Sequence, residues 1–124
     1  KKRVEISRFY DLFFSDKSKF ITPPQILNHQ NSYHLYPLRI NLKKVNKSKI
    51  QIIKEFLKKK IKVQVHYIPV NMQPYYKKKY GFKKKNFPNS IKFYENTLSL
   101  PIYYDLNLKK LNYIKKACKE IFKI

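Results

Sequence analysis

At 124 residues the chain has room for one small domain with one core, since domains usually run to roughly 100–150 residues, and it is too short for a complete two-domain enzyme. Lysine carries nearly all of a formal net charge of +22; Arg3, Arg8 and Arg39 are the only arginines, so the bidentate guanidinium forks on which specific phosphate and base readers rely are scarce. The single cysteine, Cys118, excludes an internal disulfide, and no apolar run approaches the roughly 18–20 residues of a membrane span.

Lys, Asn, Ile, Tyr and Phe are abundant and glycine occurs once, a bias of AT-rich codon usage that places much of the positive charge on solvated faces. The first residues carry no signal-peptide apolar region, and the expected compartment is the cytoplasm.

From Lys1 to about Phe14, Val4, Ile6, Phe9, Tyr10, Phe13 and Phe14 fit a helical stripe. No capping residue precedes Lys1, so the helix is expected to begin upstream. Ser15 to Ser32 reads as irregular, with Thr22-Pro23-Pro24 and Asn28-His29-Gln30-Asn31-Ser32 blocking a helix. Tyr33 to Ile40 reads as a strand whose Pro37, lacking a ladder donor, suggests an edge or a bulge.

Asn46 or Ser48 then caps a helix over about Ser48–Lys60, with Ile50, Ile53 and Leu57 on one face, flanked by Ile52 and Phe56. The clearest alternation runs from Ile61 to Tyr67, placing Ile61, Val63, Val65 and Tyr67 on one face of a strand and Lys62, Gln64 and His66 on the other. Pro69 stops it, and Asn71 to Asn86 is a polar, aromatic loop with two lysine triplets and Gly81. Pro88 opens a short helix, Thr97 to Ile102 forms a third strand, and Asn107 caps a last helix with core positions Leu111, Ile114, Cys118 and Ile121. The order predicts an α+β domain with a short, mostly antiparallel sheet packed against helices.

Three histidines and one cysteine without metal-ligand spacing predict no metal site, and no Ser/His/Asp or Cys/His arrangement or glycine-rich phosphate loop is recognisable. Lys58-Lys59-Lys60, Lys77-Lys78-Lys79 and Lys83-Lys84-Lys85, interleaved with Tyr75, Tyr76, Tyr80 and Phe82, could instead track a nucleic-acid backbone and stack bases. The chain lacks the aromatic signature of an RNA-recognition sheet, so a solvated face is the expectation and nucleic acid is not an expected partner.

Val63-Gln64-Val65-His66-Tyr67-Ile68-Pro69-Val70 followed by Gln73-Pro74-Tyr75-Tyr76 resembles the small-domain signature of DegT/StrS sugar aminotransferases. Tyr33-His34-Leu35-Tyr36-Pro37, Phe87-Pro88-Asn89 and Leu98-Ser99-Leu100-Pro101 add matches in the expected order. The resemblance spans essentially the whole chain, and its histidine-bearing form is similar to the branch that aminates a UDP-linked 4-keto-6-deoxy-N-acetylhexosamine on the way to pseudaminic acid.

The resemblance implies the small C-terminal domain of a fold-type I pyridoxal-phosphate enzyme. Residues 1–20 would end the interdomain helix, 21–32 would be a linker and 33–124 the small domain. Glutamate is the expected amino donor, a nucleotide-linked keto sugar the substrate, and a homodimer the working form. The lysine that forms the Schiff base and most contacts to pyridoxal phosphate belong to the large domain, so this chain alone is expected to be inactive, with no catalytic or cofactor-binding residue of its own.

His66, Tyr67, Asn71 and Gln73 are the candidate substrate-binding residues. His66 sits before a proline break where it can be aimed into a cleft, Tyr67 shares a face with Val65 and by default packs in the core, and Gln73 lies in the loop with Tyr75 and Tyr76. Family members often carry Gly where Lys60 stands, His where Asn71 stands, and an Ala-Glu pair where Ser90-Ile91 stands, so a nonfunctional gene remnant is a further reading. A separated small domain should also expose apolar surface along Val4, Phe9, Phe13 and Phe14.

Overall fold

The computed structural model describes residues 1–24 and 31–124. His29 and half of the expected linker therefore lie outside the described residues. Helix α1 spans Lys2–Phe14 and buries Ile6, Tyr10, Phe13 and Phe14, an i, i+4, i+7, i+8 stripe. The expected apolar surface along this helix does not appear. Phe13 is 8% exposed and Phe14 is fully buried, while Val4 and Phe9 are half-covered. Phe13 and Phe14 join the main core with Phe9 packed against it, and Lys115 of helix α6 (Leu108–Phe122) lies over the Phe9 and Phe13 rings at 6.0 and 5.5 Å.

The segment expected to be irregular contains a two-residue strand, β1 (Ile21–Thr22), which pairs antiparallel with β2 (Tyr36–Ile40) through Ile21↔Ile40 and Thr22↔Arg39. Pro23-Pro24 ends β1 because neither proline can donate to a ladder. β2 starts three residues later than the alternation suggests. Tyr33 stands at φ +48 with its N–H donating to Asn31 Oδ1 at 2.7 Å, a left-handed Asx turn that cannot begin a strand.

The sheet order is β1-β2-β3, with β3 at Thr97–Leu100, and both pairings are antiparallel. Pro37 thus lies in the central strand, contrary to expectation. β1 reaches only Arg39 and Ile40, so at Pro37 the far flank of β2 is locally an edge.

A single turn, α2 (Leu42–Val45), is capped by the Asn41 side chain and closed by Asn46 at φ +54. Helix α3 (Lys49–Lys58) opens with a full capping box: Ser48 Oγ accepts from Gln51 N–H at 3.2 Å, and Gln51 Oε1 accepts from Ser48 N–H at 2.7 Å. It buries Ile52 and Phe56, whereas Ile50 and Leu57 are each 65% exposed, so the apolar face is rotated from the one expected. Two overlapping apolar stripes are available in this sequence, and only the fit of Phe56 against Phe122 of α6, with ring centroids 5.7 Å apart, selects between them.

α3 ends in a Schellman motif. Ile61 N–H donates to Phe56 O at 2.9 Å, Lys60 N–H donates to Leu57 O at 2.8 Å, and Lys60 takes φ +56. Ile61 and Phe56 are both buried and supply the apolar contact that accompanies this turn.

Residues 61–67 do not form the expected strand. Gln64 alone bridges to Ser99, with N–H···O distances of 3.1 and 2.7 Å, and past it the chain leaves the flank of β3. β3 is consequently bonded on both sides and buried at all four residues. Asn107 caps α6 by accepting from Lys110 N–H at 3.0 Å, and Leu111, Ile114, Cys118 and Ile121 are buried as expected, joined by Ala117 and Phe122.

One core joins α1, the three strands, α3 and α6. Tyr10 and Tyr36 stand at its centre with rings 4.9 Å apart. Tyr10 Oη donates to Pro101 O at 2.9 Å and Tyr36 Oη to Asp11 Oδ1 at 2.6 Å, and burial raises both phenols above their ordinary value. Five carboxylates pair with lysines: Glu5 with Lys2, Asp16 with Lys17, Glu55 with Lys47, Glu120 with Lys59 and Glu95 with Lys84.

Candidate functional site

A cleft of about 730 Å³ opens along the outer flank of β3, between the 61–66 segment and the first half of α6. His34, Gln64, His66, Ser99, Tyr103 and Lys110 are among the residues lining it, and among the described residues no carboxylate does. The Gln64–Ser99 bridge sets its geometry, because it holds the segment carrying His66 against β3. His66 is half-buried, and its Nδ1 lies 3.0 Å from Ser99 Oγ. His34 also lines the cleft, and its Nδ1 lies 3.4 Å from the Arg3 guanidinium, tying α1 to this region.

The other three candidate residues stand apart from this cleft. Tyr67 is 74% exposed rather than packed in the core, because the chain has left the sheet before reaching it and alternation no longer governs burial. Its ring meets that of His66 edge to face at 4.9 Å, and the peptide bond between the two residues is cis. Asn71 sits in a 3-10 turn, Val70–Met72, where its Nδ2 is sealed from solvent with no hydrogen-bond partner among the described residues. Gln73 precedes helix α4 (Pro74–Tyr80) and its carbonyl accepts from Lys77 N–H at 3.0 Å. The cleft thus gathers His66 from the candidate set and adds Ser99, Gln64 and His34. Ser99 had a signal in the sequence: it is a polar residue inside an otherwise apolar strand motif.

Tyr75 and Tyr76 lie in α4 and not in a loop. Proline at the first helical position and Gly81 at φ +66 after the last turn bound this helix. Outside the main core, Tyr75, Tyr76, Tyr80, Phe82 and Phe87 form a chain of rings with successive centroids 5.2, 6.1, 5.4 and 5.0 Å apart. The lysine triplets flank it. A second cleft of similar size, lined by Arg39, Lys43 and Lys92 among others, lies beside β2 and the helix α5 (Pro88–Asn96). Among the described residues, no three His, Cys, Asp or Glu side chains gather to hold a metal ion, and no helix is long and apolar enough to cross a membrane.

This three-stranded antiparallel sheet packed with helices matches about a third of the chain in fold-type I aminotransferases, as their small C-terminal part. PseC of Helicobacter pylori, an aminotransferase involved in the biosynthesis of pseudoaminic acid, superposes with a TM-score of 0.88 at 29% identity, over 98% of this chain and 32% of its own. The sugar aminotransferase Spr1654 of Streptococcus pneumoniae, described as putative and solved in PMP and PLP forms, gives 0.77 at 30% identity, over 98% of this chain and 30% of its own.

The chain belongs to the DegT/DnrJ/EryC1/StrS aminotransferase family, whose model matches residues 1–119. Among curated relatives, the uncharacterized protein MJ1066 of Methanocaldococcus jannaschii is 36% identical over 97% of this chain and 32% of its own length. The UDP-4-amino-4,6-dideoxy-N-acetyl-beta-L-altrosamine transaminase of Campylobacter jejuni is 34% identical over 92% of this chain and 30% of its own length. The chain thus spans about a third of the relatives it matches. Family membership does not favour the reading as a nucleic-acid-binding module.

Proposed function

We propose that this chain is the C-terminal portion of an aminotransferase that moves an amino group, with glutamate as donor, onto a nucleotide-linked 4-keto-6-deoxy sugar. The observation that carries the reading is the likeness over nearly the whole chain to PseC, joined to the matching transaminase from C. jejuni. In this reading residues 1–20 end the helix between two domains, 21–32 are a linker and 33–124 are the small domain. The complete enzyme works as a cytoplasmic homodimer.

Pyridoxal phosphate is the cofactor of this reading, and when bound it supplies an electron sink for the carbon that gains or loses the amino group. The residues of the His66 cleft do not fit it by themselves. Among the described residues no carboxylate lines the cleft to face a protonated pyridine nitrogen. Lys59, at its rim, is held in the charged state by the Glu120 carboxylate rather than made nucleophilic. Lys49 is the lysine whose pKa burial lowers, yet it donates to Tyr94 O and does not line this cleft. In this reading the catalytic lysine and the main cofactor contacts belong to a large domain, and this chain alone is inactive.

The part left to these residues is on the substrate side. His66 presents a polar group to the cleft, and Tyr67, Asn71 and Gln73 are assigned to the same substrate surface once a large domain faces it. The orphaned Asn71 amide supports that assignment, because a sealed donor without an acceptor costs about 1–3 kcal/mol unless a partner arrives.

The test is the intact mass of the native polypeptide captured from its source cells with an antibody to this segment, followed by assay with glutamate on UDP-linked 4-keto sugars. A chain about three times as long with amination activity is expected. A product beginning near Lys1 with no separately encoded partner overturns the reading.

A further inference from the structure

Three contacts converge on Ser99. Its backbone pairs with Pro37 of β2 on one flank and exchanges both hydrogen bonds with Gln64 on the other. Its residue is only 4% exposed, and its Oγ stands 3.0 Å from His66 Nδ1. Burial in β3 does not by itself find a hydroxyl a partner: Thr97, two residues earlier and also buried, leaves its Oγ1 without one. The Ser99 hydroxyl is therefore committed to the histidine. Among the described residues only Nδ1 of that ring is hydrogen-bonded.

We propose that Ser99 is a positioning residue that fixes the His66 ring with Nε2 toward the cleft, where it meets a polar group of the nucleotide sugar. The proposal rests on the reading of the chain as part of a sugar aminotransferase. The choice of serine has chemical content. A carboxylate at Nδ1 would hold the ring in its charged form, whereas a hydroxyl can donate to a bare nitrogen or accept from a protonated one. The ring orientation is thus held in either neutral tautomer and in the imidazolium, and Nε2 stays free to act as donor or acceptor. The bridge to Gln64 makes the arrangement stiff, because the strand that carries the hydroxyl and the segment that carries the ring are bonded to each other two residues before the histidine.

The experiment compares Ser99→Ala, Ser99→Thr, Thr97→Ala and His66→Gln in the full-length polypeptide. It reads the His66 ring nitrogens by nitrogen-15 NMR, and KM and kcat for a UDP-linked 4-keto sugar with glutamate as donor. Ser99→Ala should move both ring-nitrogen shifts toward free-histidine values and raise KM about fivefold to tenfold with kcat held, the loss of one hydrogen bond. Ser99→Thr should restore both, and Thr97→Ala, which removes an equally buried but unpartnered hydroxyl, should move neither. Unchanged ring-nitrogen shifts in Ser99→Ala overturn the proposal whatever the kinetics. A raised KM in His66→Gln with an unchanged KM in Ser99→Ala overturns it while leaving His66 as a substrate contact. Unchanged KM in both variants overturns the substrate reading of His66, and the proposal falls with it.

Discussion

Tyr36 of the central strand and Asp11 of the first helix are joined by a hydrogen bond of 2.6 Å, the phenol donating to the carboxylate. This bond, with Tyr10 to Pro101 O beside it, pins α1 onto the sheet. Tyr36→Phe keeps the ring packing and leaves Asp11 half-covered and short of a donor, so it should cost about 1–2 kcal/mol in a urea titration at pH 7. Burial raises the Tyr36 and Tyr10 phenols above the ordinary value of 10.0. Their contribution is fully present below pH 10 and is lost as pH rises beyond it, when the unfolded chain ionises and the folded one does not. Each should steepen the alkaline fall by about 1.4 kcal/mol per pH unit, so the gap between wild type and Tyr36→Phe should narrow from pH 10 to 11.

Lys60 occupies the left-handed position of the Schellman turn with φ +56, where a β-carbon is crowded and glycine is not. Lys60→Gly should raise stability by about 0.5–1 kcal/mol, seen as a higher urea midpoint with an unchanged m-value. Lys60→Val, β-branched at the same angle, should lower it.

The capping box of α3 is the other end of the same helix. Ser48→Ala removes the acceptor for Gln51 N–H and should cost about 1 kcal/mol. Ser48→Asp should hold the wild-type midpoint, since a carboxylate accepts the same bond and sits favourably at a helix N-terminus.

Cys118 lies fully buried in the core, and burial pushes its thiol above the ordinary range. The thiolate is the reactive form, so native protein at pH 8 should resist a disulfide reagent for hours, and addition of urea should release one equivalent of thiol within minutes. Rapid labelling without urea would mean that α6 is not seated as described.

How far the sequence reached varied with how much tertiary choice each element required. The caps at Ser48 and Asn107 and the buried positions of α6 are local matters of hydrogen-bond geometry and period, and they stand where periodicity puts them. The left-handed position of Lys60 was marked by the family resemblance alone, whose members often carry Gly there.

The face of α3 was not legible, since 50/53/57 and 52/53/56 are both apolar and only packing on Phe122 decides between them. Tyr67 and the 61–67 strand failed for a related reason. Alternation reports burial only while a chain stays on a sheet, and this one leaves after a single bridge. Helix α4 was hidden by its lack of a buried face, and β1 by its two-residue length. At the site, His66 was visible through its motif, whereas the part played by Ser99 depends on a cross-strand register that no one-dimensional pattern encodes.

The ion pairs leave a consequence for the solution behaviour of the molecule. Of the seven acidic residues, five are paired with lysines and Asp11 is taken by Tyr36, which leaves Asp105. Among the described residues the surplus cations have only Asp105 left to approach, and their mutual repulsion reaches about 30 Å at 10 mM salt but only about 8 Å at 150 mM. Added salt should therefore raise the melting temperature, although it weakens the few exposed pairs, and phosphate or sulfate should do so more than chloride. The anions that neutralise this surface come from the medium, so ionic strength is for this fold a component of its stability.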